Sequence, residues 1–125
     1  MSVKIEFIKE AAEDYKKLDG SLKILCDKKL EELEINPNLG EKLGNKYNID
    51  LTGFYKIYFN SKRYRIVYRI REHLLEIIEI WGIGKRDKEE IYKIVGKRLK
   101  KKLKASYASN KKNDTYGAIR RAAPR

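Results

Sequence analysis

At 125 residues, 42% hydrophobic and 38% charged, the chain has the length for one domain with one modest core, and too many periodic apolar positions for disorder throughout. Its apolar runs are a few residues long against the roughly 20 that span a bilayer, so a membrane-spanning protein is excluded, while one cysteine and one histidine leave no disulfide framework and no expected metal or cofactor. The 30 Lys and Arg against 18 Asp and Glu give +12, which suits a polyanionic partner; eleven of those bases and one acid lie from Lys97 onward, leaving 19 bases against 17 acids in residues 1–96.

Met1 to Glu10 is interrupted by Lys4, Glu6, Lys9 and Glu10, unlike a secretory signal, so a cytoplasmic protein is expected. Val3, Ile5 and Phe7 alternate with Lys4 and Glu6, the period of a strand with one face buried. From Lys9 to Leu18 the positions Ala11, Ala12, Tyr15 and Leu18 recur at helical spacing, stopped by Asp19-Gly20. Ser21 reads as the N-cap of a second helix with the stripe Leu22, Leu25, Cys26, Leu30 and Leu33, ended by Asn36-Pro37 and Gly40. Cys26 lies on that stripe and is expected in the core. Leu39 to Leu51 reads as a polar connection. Phe54 to Phe59 is a strand, Asn60 to Arg63 a hairpin loop, and Tyr64 to Ile70 the returning strand, with Tyr64, Ile66, Tyr68 and Ile70 on one face and Arg65 and Arg69 on the other. After a turn at Arg71-Glu72-His73, with His73 exposed and uninvolved, Leu74 to Ile80 is apolar enough for a central strand. Trp81 to Arg86 breaks the pattern. Asp87 then caps a last helix with apolar positions Ile91, Ile94, Val95 and Leu99. The order predicts an α+β fold: an N-terminal strand and helical hairpin, an antiparallel sheet of about four strands with helices on one side and the other face open, and a C-terminal helix. Residues 1–103 form the domain, and 104–125 a basic tail without periodicity that reads as disordered.

Charge within the domain is polarised. Phe54 to Arg71 contains Lys56, Lys62, Arg63, Arg65, Arg69 and Arg71 and no acid, whereas Glu31, Glu32 and Glu34 lie on the earlier helix. Ser/His/Asp sets, metal clusters and a glycine-rich phosphate loop are all missing; Gly82-Ile83-Gly84 is too short for a nucleotide fingerprint. Lys56 and Tyr58 share a strand face, and a loop centred between Ser61 and Lys62 sets Tyr58 opposite Arg65. Lys85 and Arg86 reach the rim, and Tyr92 can turn back from the last helix. Cations with aromatic rings on an open sheet suit RNA, holding phosphates and stacking on bases, with Tyr58, Lys62, Arg63, Arg69 and Lys85 as expected substrate contacts. The same groups could cut it. Cleavage needs the 2′-hydroxyl deprotonated, the phosphorane charge neutralised and the leaving 5′-oxygen protonated, and a lysine with its pKa depressed by neighbouring cations can be the base.

Tyr55-Lys56-Ile57, Tyr64-Arg65-Ile66-Val67-Tyr68, Gly84-Lys85-Arg86 and Glu90-Ile91-Tyr92, in this order and spacing, with Leu33 to Pro37 and Leu51-Thr52-Gly53, resemble the RelE/ParE superfamily of toxin-antitoxin toxins over about Val3 to Leu103. The resemblance implies a ribosome-dependent, metal-independent mRNA endoribonuclease that inhibits translation by 2′-hydroxyl attack, with mRNA and the 16S rRNA decoding region of the ribosome as partners. It also implies an acidic cognate antitoxin. By the same resemblance Lys56 is the general base, Arg65 stabilises the transition state, Arg86 lies near the leaving group and Tyr92 stacks on the substrate base. Where RelE-type enzymes often carry a second lysine, two residues after the first, this chain has Tyr58. The alternatives are a ParE-type gyrase inhibitor, which lacks this catalytic set, and an RNA-binding module without activity.

Overall fold

The computed structural model describes residues 3–46, 49–72, 76–86, 90–105 and 114–115. Strand β1 (Val3–Phe7) leads into helices α1 (Lys9–Lys17) and α2 (Gly20–Ile35). Three two-residue strands follow, β2 (Glu41–Lys42), β3 (Asn45–Lys46) and β4 (Ile49–Asp50), then the long strands β5 (Phe54–Phe59), β6 (Tyr64–Glu72) and β7 (Glu76–Lys85). Helix α3 (Glu90–Ala105) and a short β8 (Asp114–Thr115) complete the order. The main sheet runs β2-β5-β6-β7-β1-β8, while β3 and β4 pair separately. The expected cap at Asp87 and the exposed His73 lie outside the described residues, as does most of the basic tail; α3 itself runs two residues past Leu103.

Four local readings change. Asp19, not Ser21, caps α2: its carboxylate accepts from Leu22 N at 2.9 Å, and the helix starts two residues earlier, at Gly20. The connection from Leu39 to Leu51 is not featureless, because β2 pairs with β5 and β3 with β4. Trp81 to Lys85 continues β7, for the ladder to β6 runs to Tyr64↔Lys85 with a bulge after Val67↔Gly82. The sheet is also mixed, because β1 returns alongside β7 in parallel, Ile5 against Ile78 and Phe7 against Ile80. With β6 on one side and β1 on the other, β7 is the interior strand its apolar run predicts.

Pleating gives the sheet two chemically different faces. On the core face stand Ile5 and Phe7, Ile57 and Phe59, Ile66 and Tyr68, Ile78 and Ile80, all buried, with α1 and α2 against them. Phe7 meets Tyr15 of α1 edge-to-face at 5.6 Å, and Cys26, Leu30 and Leu33 of α2 are wholly buried. Cys26 is thus a core residue; burial pushes its thiol far up and leaves it inert. Its stripe partners Leu22 and Leu25 are half-buried.

The opposite face is only partly open. Helix α3 lies on it, laying Ile91, Tyr92 and Val95 against β6 and β7. Gly82 and Gly84 permit this approach: a Cβ on Gly82 would stand 2.8 Å from Val95 and 2.9 Å from Ile91. The helix is also tied by charge. Arg98 donates to both carboxylate oxygens of Asp14, at 2.6 and 3.0 Å, and to Trp81 O at 3.0 Å. Asp14 in turn accepts from Ile83 N at 3.1 Å, on the stretch of β7 that β1, ending at Phe7, no longer covers. Ile94 sits at the margin of the α3 stripe, 37% exposed.

Candidate active site

Alternation along β5 and β6 brings the basic residues together. Lys56, Tyr58, Arg65 and Val67 share the face that α3 partly covers, and the register pairs Tyr58 with Arg65 and Lys56 with Val67, as the loop length predicts. The hairpin tip that fixes this register is tight: Asn60, Ser61 and Lys62 all adopt left-handed backbone at φ 53°, 54° and 65°, and Arg63 N returns to Asn60 O at 3.0 Å. At the end of β7, Arg86 N donates to Arg63 O at 2.8 Å, which swings its side chain over the same surface.

Tyr58 is the centre of the cluster. Lys56 Nζ donates to the Tyr58 hydroxyl at 3.0 Å and lies 5.2 Å from the ring centroid. The guanidinium carbons of Arg65 and Arg86 stand 5.4 and 5.5 Å from that ring. Arg65 is sandwiched, with Tyr92 on its other side at 4.8 Å. Three cations around one phenol gain roughly 0.5–2 kcal/mol each from the ring quadrupole but repel one another, a repulsion that an anion among them would relieve. Among the described residues, the carboxylate of Glu41 in β2 lies 3.9 Å from Lys56 Nζ and is exposed to water.

Lys56, Arg65, Arg86 and Tyr92, separated by up to 36 positions along the chain, therefore meet in one place. Tyr92 is wholly buried, with the Arg65 guanidinium 4.8 Å from its ring centroid, so neither face of the ring is exposed in this conformation. Lys56 is not a depressed lysine. Burial pulls its pKa down, but the hydrogen bond to Tyr58 and the attraction of the Tyr92 and Tyr58 oxygens outweigh that and raise it above the ordinary value. The neighbouring groups that decide the sign are phenols rather than guanidiniums. Tyr58 moves the other way: its phenol is lowered, chiefly by the Lys56 hydrogen bond, against burial and with the help of Arg65 and Lys56 charge.

The remaining expected contacts divide. Arg63 and Lys85, with Arg86, line an open recess of about 430 Å³ at the hairpin end, together with Asp19, Ser21 and Asn60. Lys62 is exposed on the loop. Arg69 is elsewhere: it pairs with Phe54, four residues and roughly 13 Å along β6 from Arg65. Its Nε donates to Glu79 at 2.7 Å, and its guanidinium lies over Trp81 and Phe54, at 4.9 and 5.6 Å. Arg69 is thus engaged with Glu79 and the two rings, apart from the Tyr58 cluster. The sequence reading missed Glu79, the buried acid of that cluster, and Glu41. The Glu79 signal is an acid flanked by isoleucines in a mostly apolar strand; Glu41 sits in a two-residue strand that carries no pattern.

A family model described as "ParE toxin of type II toxin-antitoxin system, parDE" matches residues 5–90. The mRNA interferase toxin RelE of Escherichia coli strain K12 is 28% identical over 99 residues, covering 79% of this chain and 99% of that protein. A RelE-like toxin protein of Escherichia coli is 27% identical over 101 residues, 80% of this chain and 100% of the relative. Among solved structures, a mutant of the E. coli toxin RelE in the free state superposes with a TM-score of 0.63 at 26% identity, covering 79% of this chain and 99% of that one. The RelE-RelB complex of Pyrococcus horikoshii OT3 shares the fold at 17% identity, TM-score 0.53, covering 70% and 99%. The chain therefore belongs to the ParE toxin family of type II toxin-antitoxin systems, within the RelE/ParE superfamily and on its RelE-like side.

Proposed function

We propose that this toxin is a ribosome-dependent endoribonuclease that cuts mRNA in the decoding region of 16S rRNA and so stops translation. One observation carries the reading: Lys56, Arg65 and Arg86 converge on a single phenol, a constellation a bound phosphodiester would complete and a protein-only interface would not need. Arg86, exposed at the rim, meets the phosphate and its leaving oxygen. Arg65, held between Tyr58 and Tyr92 away from water, adds a fixed charge whose field is less screened than that of a surface arginine. Lys56 enters as a cation. The names of the relatives agree, two of them being mRNA interferases. The partner that silences the toxin is an acidic antitoxin, drawn to the +12 chain; an E. coli RelE mutant 25% identical to it, TM-score 0.54, has been solved with a peptide of the antitoxin RelBc.

Incubation with translating ribosomes should give cuts at fixed positions within codons, and Arg65→Ala or Arg86→Ala should each slow them by ~100-fold or more. Intact mRNA together with loss of gyrase supercoiling would refute this reading in favour of a gyrase poison, and salt-sensitive RNA binding without product would leave a binding module.

A further inference from the structure

Cleavage by 2′-hydroxyl attack requires a proton acceptor, and four of the five clustered side chains are poor ones. Arg65 and Arg86 do not give up their protons. Lys56 is held as an ammonium by the phenols around it, and Tyr92 is wholly buried, its own phenol raised by burial against the attraction of Arg65 and Lys56. Tyr58 differs. Its ring is half-buried rather than enclosed, its hydroxyl already accepts a hydrogen bond from Lys56 at 3.0 Å, and three positive charges surround it. A negative charge on that oxygen is stabilised from β5 by Lys56, from β6 by Arg65 and from the end of β7 by Arg86; α3 presents the neutral Tyr92, and β2 presents Glu41 beyond Lys56.

We propose that the hydroxyl oxygen of Tyr58, in its ionised form, is the general base that takes the proton from the substrate 2′-hydroxyl. This rests on the nuclease reading above. The phenolate accepts the proton, O2′ bonds to phosphorus, the bond from phosphorus to O5′ breaks, and the leaving oxygen takes a proton from water on the Arg86 side. The products are a 2′,3′-cyclic phosphate and a 5′-hydroxyl. Tyr58 returns to phenolate by losing its proton to solvent, with Lys56 remaining an ammonium. The phenol that must ionise is lowered from its ordinary value of 10.0 by that ammonium first, and cleavage accordingly speeds up as pH rises toward its titration.

The test is single-turnover cleavage of a defined mRNA on translating ribosomes, followed across pH, with the full chain. Tyr58→Phe, which keeps the ring between the cations, should slow cleavage by ~100-fold or more and abolish the rise with pH. Placing 3,5-difluorotyrosine at position 58 should move the rise to lower pH, and it carries the test alone should Tyr58→Phe fail to fold, as judged by its melting curve. A Tyr58→Phe protein that cuts at nearly the wild-type rate with the same pH profile, while Arg86→Ala is slow, overturns the proposal and leaves the nuclease standing. Loss of the pH-dependent rise in Glu41→Gln instead assigns the proton to Glu41 and overturns it too. If the wild-type chain leaves mRNA whole, both readings fall together.

Discussion

Removing the Glu79 carboxylate tests whether the second cluster on the basic face is structural. Glu79 is 2% exposed; its Oε1 accepts from Arg69 Nε and Trp81 Nε1, both at 2.7 Å, and its Oε2 from Arg71 Nη1 at 3.1 Å. Hydrogen bonds to a charged group contribute about 1.5–3 kcal/mol each, but desolvating the carboxylate takes back several kcal/mol, so the net is far below their sum. Deletion is costlier than that net, since Glu79→Ala leaves the indole N–H without its acceptor and Arg69 between two rings without its counter-charge. We expect a loss of about 3–5 kcal/mol. At about 1–3 kcal/mol per molar urea, the denaturation midpoint should fall by roughly 1–5 M. Glu79→Gln keeps an acceptor and loses the charge, at about 2 kcal/mol. Acid supplies the second arm. Burial pushes the Glu79 carboxyl up, but Arg69 attraction and the bonds from Trp81, Arg69 and Arg71 outweigh it and hold the group below its ordinary 4.5. A group depressed on folding stabilises fully above that value and loses its contribution as pH falls below it, through the lower folded value. Wild type should therefore weaken in this window more than Glu79→Gln. An alanine midpoint unchanged within error, or equal acid slopes for wild type and Glu79→Gln, would refute the reasoning.

The clamp on α3 makes a separate prediction. Asp14→Ala should cost about 2–3 kcal/mol, with a coupling to Arg98→Met of at least ~1 kcal/mol in a double-mutant cycle of urea midpoints; additive effects would mean the bidentate pair does not hold the helix. At the hairpin tip, Ser61→Gly should raise stability by about 0.5–1 kcal/mol in thermal melts, because the exposed serine adopts φ 54° without any packing to lose. A lower melting temperature would mean the left-handed turn is not strained.

Local pattern was enough to read much of the site. Period-2 alternation in β5 and β6, with a four-residue loop between them, dictates that Tyr58 faces Arg65 and that Lys56 shares their side, because the pleat alternates side chains whatever surrounds the sheet. The α2 core stripe and the interior place of β7 follow from apolar spacing in the same way. Other features had no local signal. Trp81 to Lys85 looked irregular because two glycines interrupt the apolar run, yet those glycines are what let α3 lie on the strand. Which face α3 takes and the bidentate pairing of Asp14 with Arg98, 84 residues apart, depend on elements that meet only after folding.

The amino-acid order by itself therefore determined the strands β1, β5 and β6, the helices, the family and the short list of cations, since each is written in spacing over a few residues. Tertiary structure alone decided which of those groups is buried, which is exposed and in which direction the pKa values of Lys56 and Tyr58 move. Those properties come from desolvation and from neighbours across the sheet: they raise Lys56, lower Tyr58, shut Tyr92 beneath Arg65 and give Arg69 to Glu79.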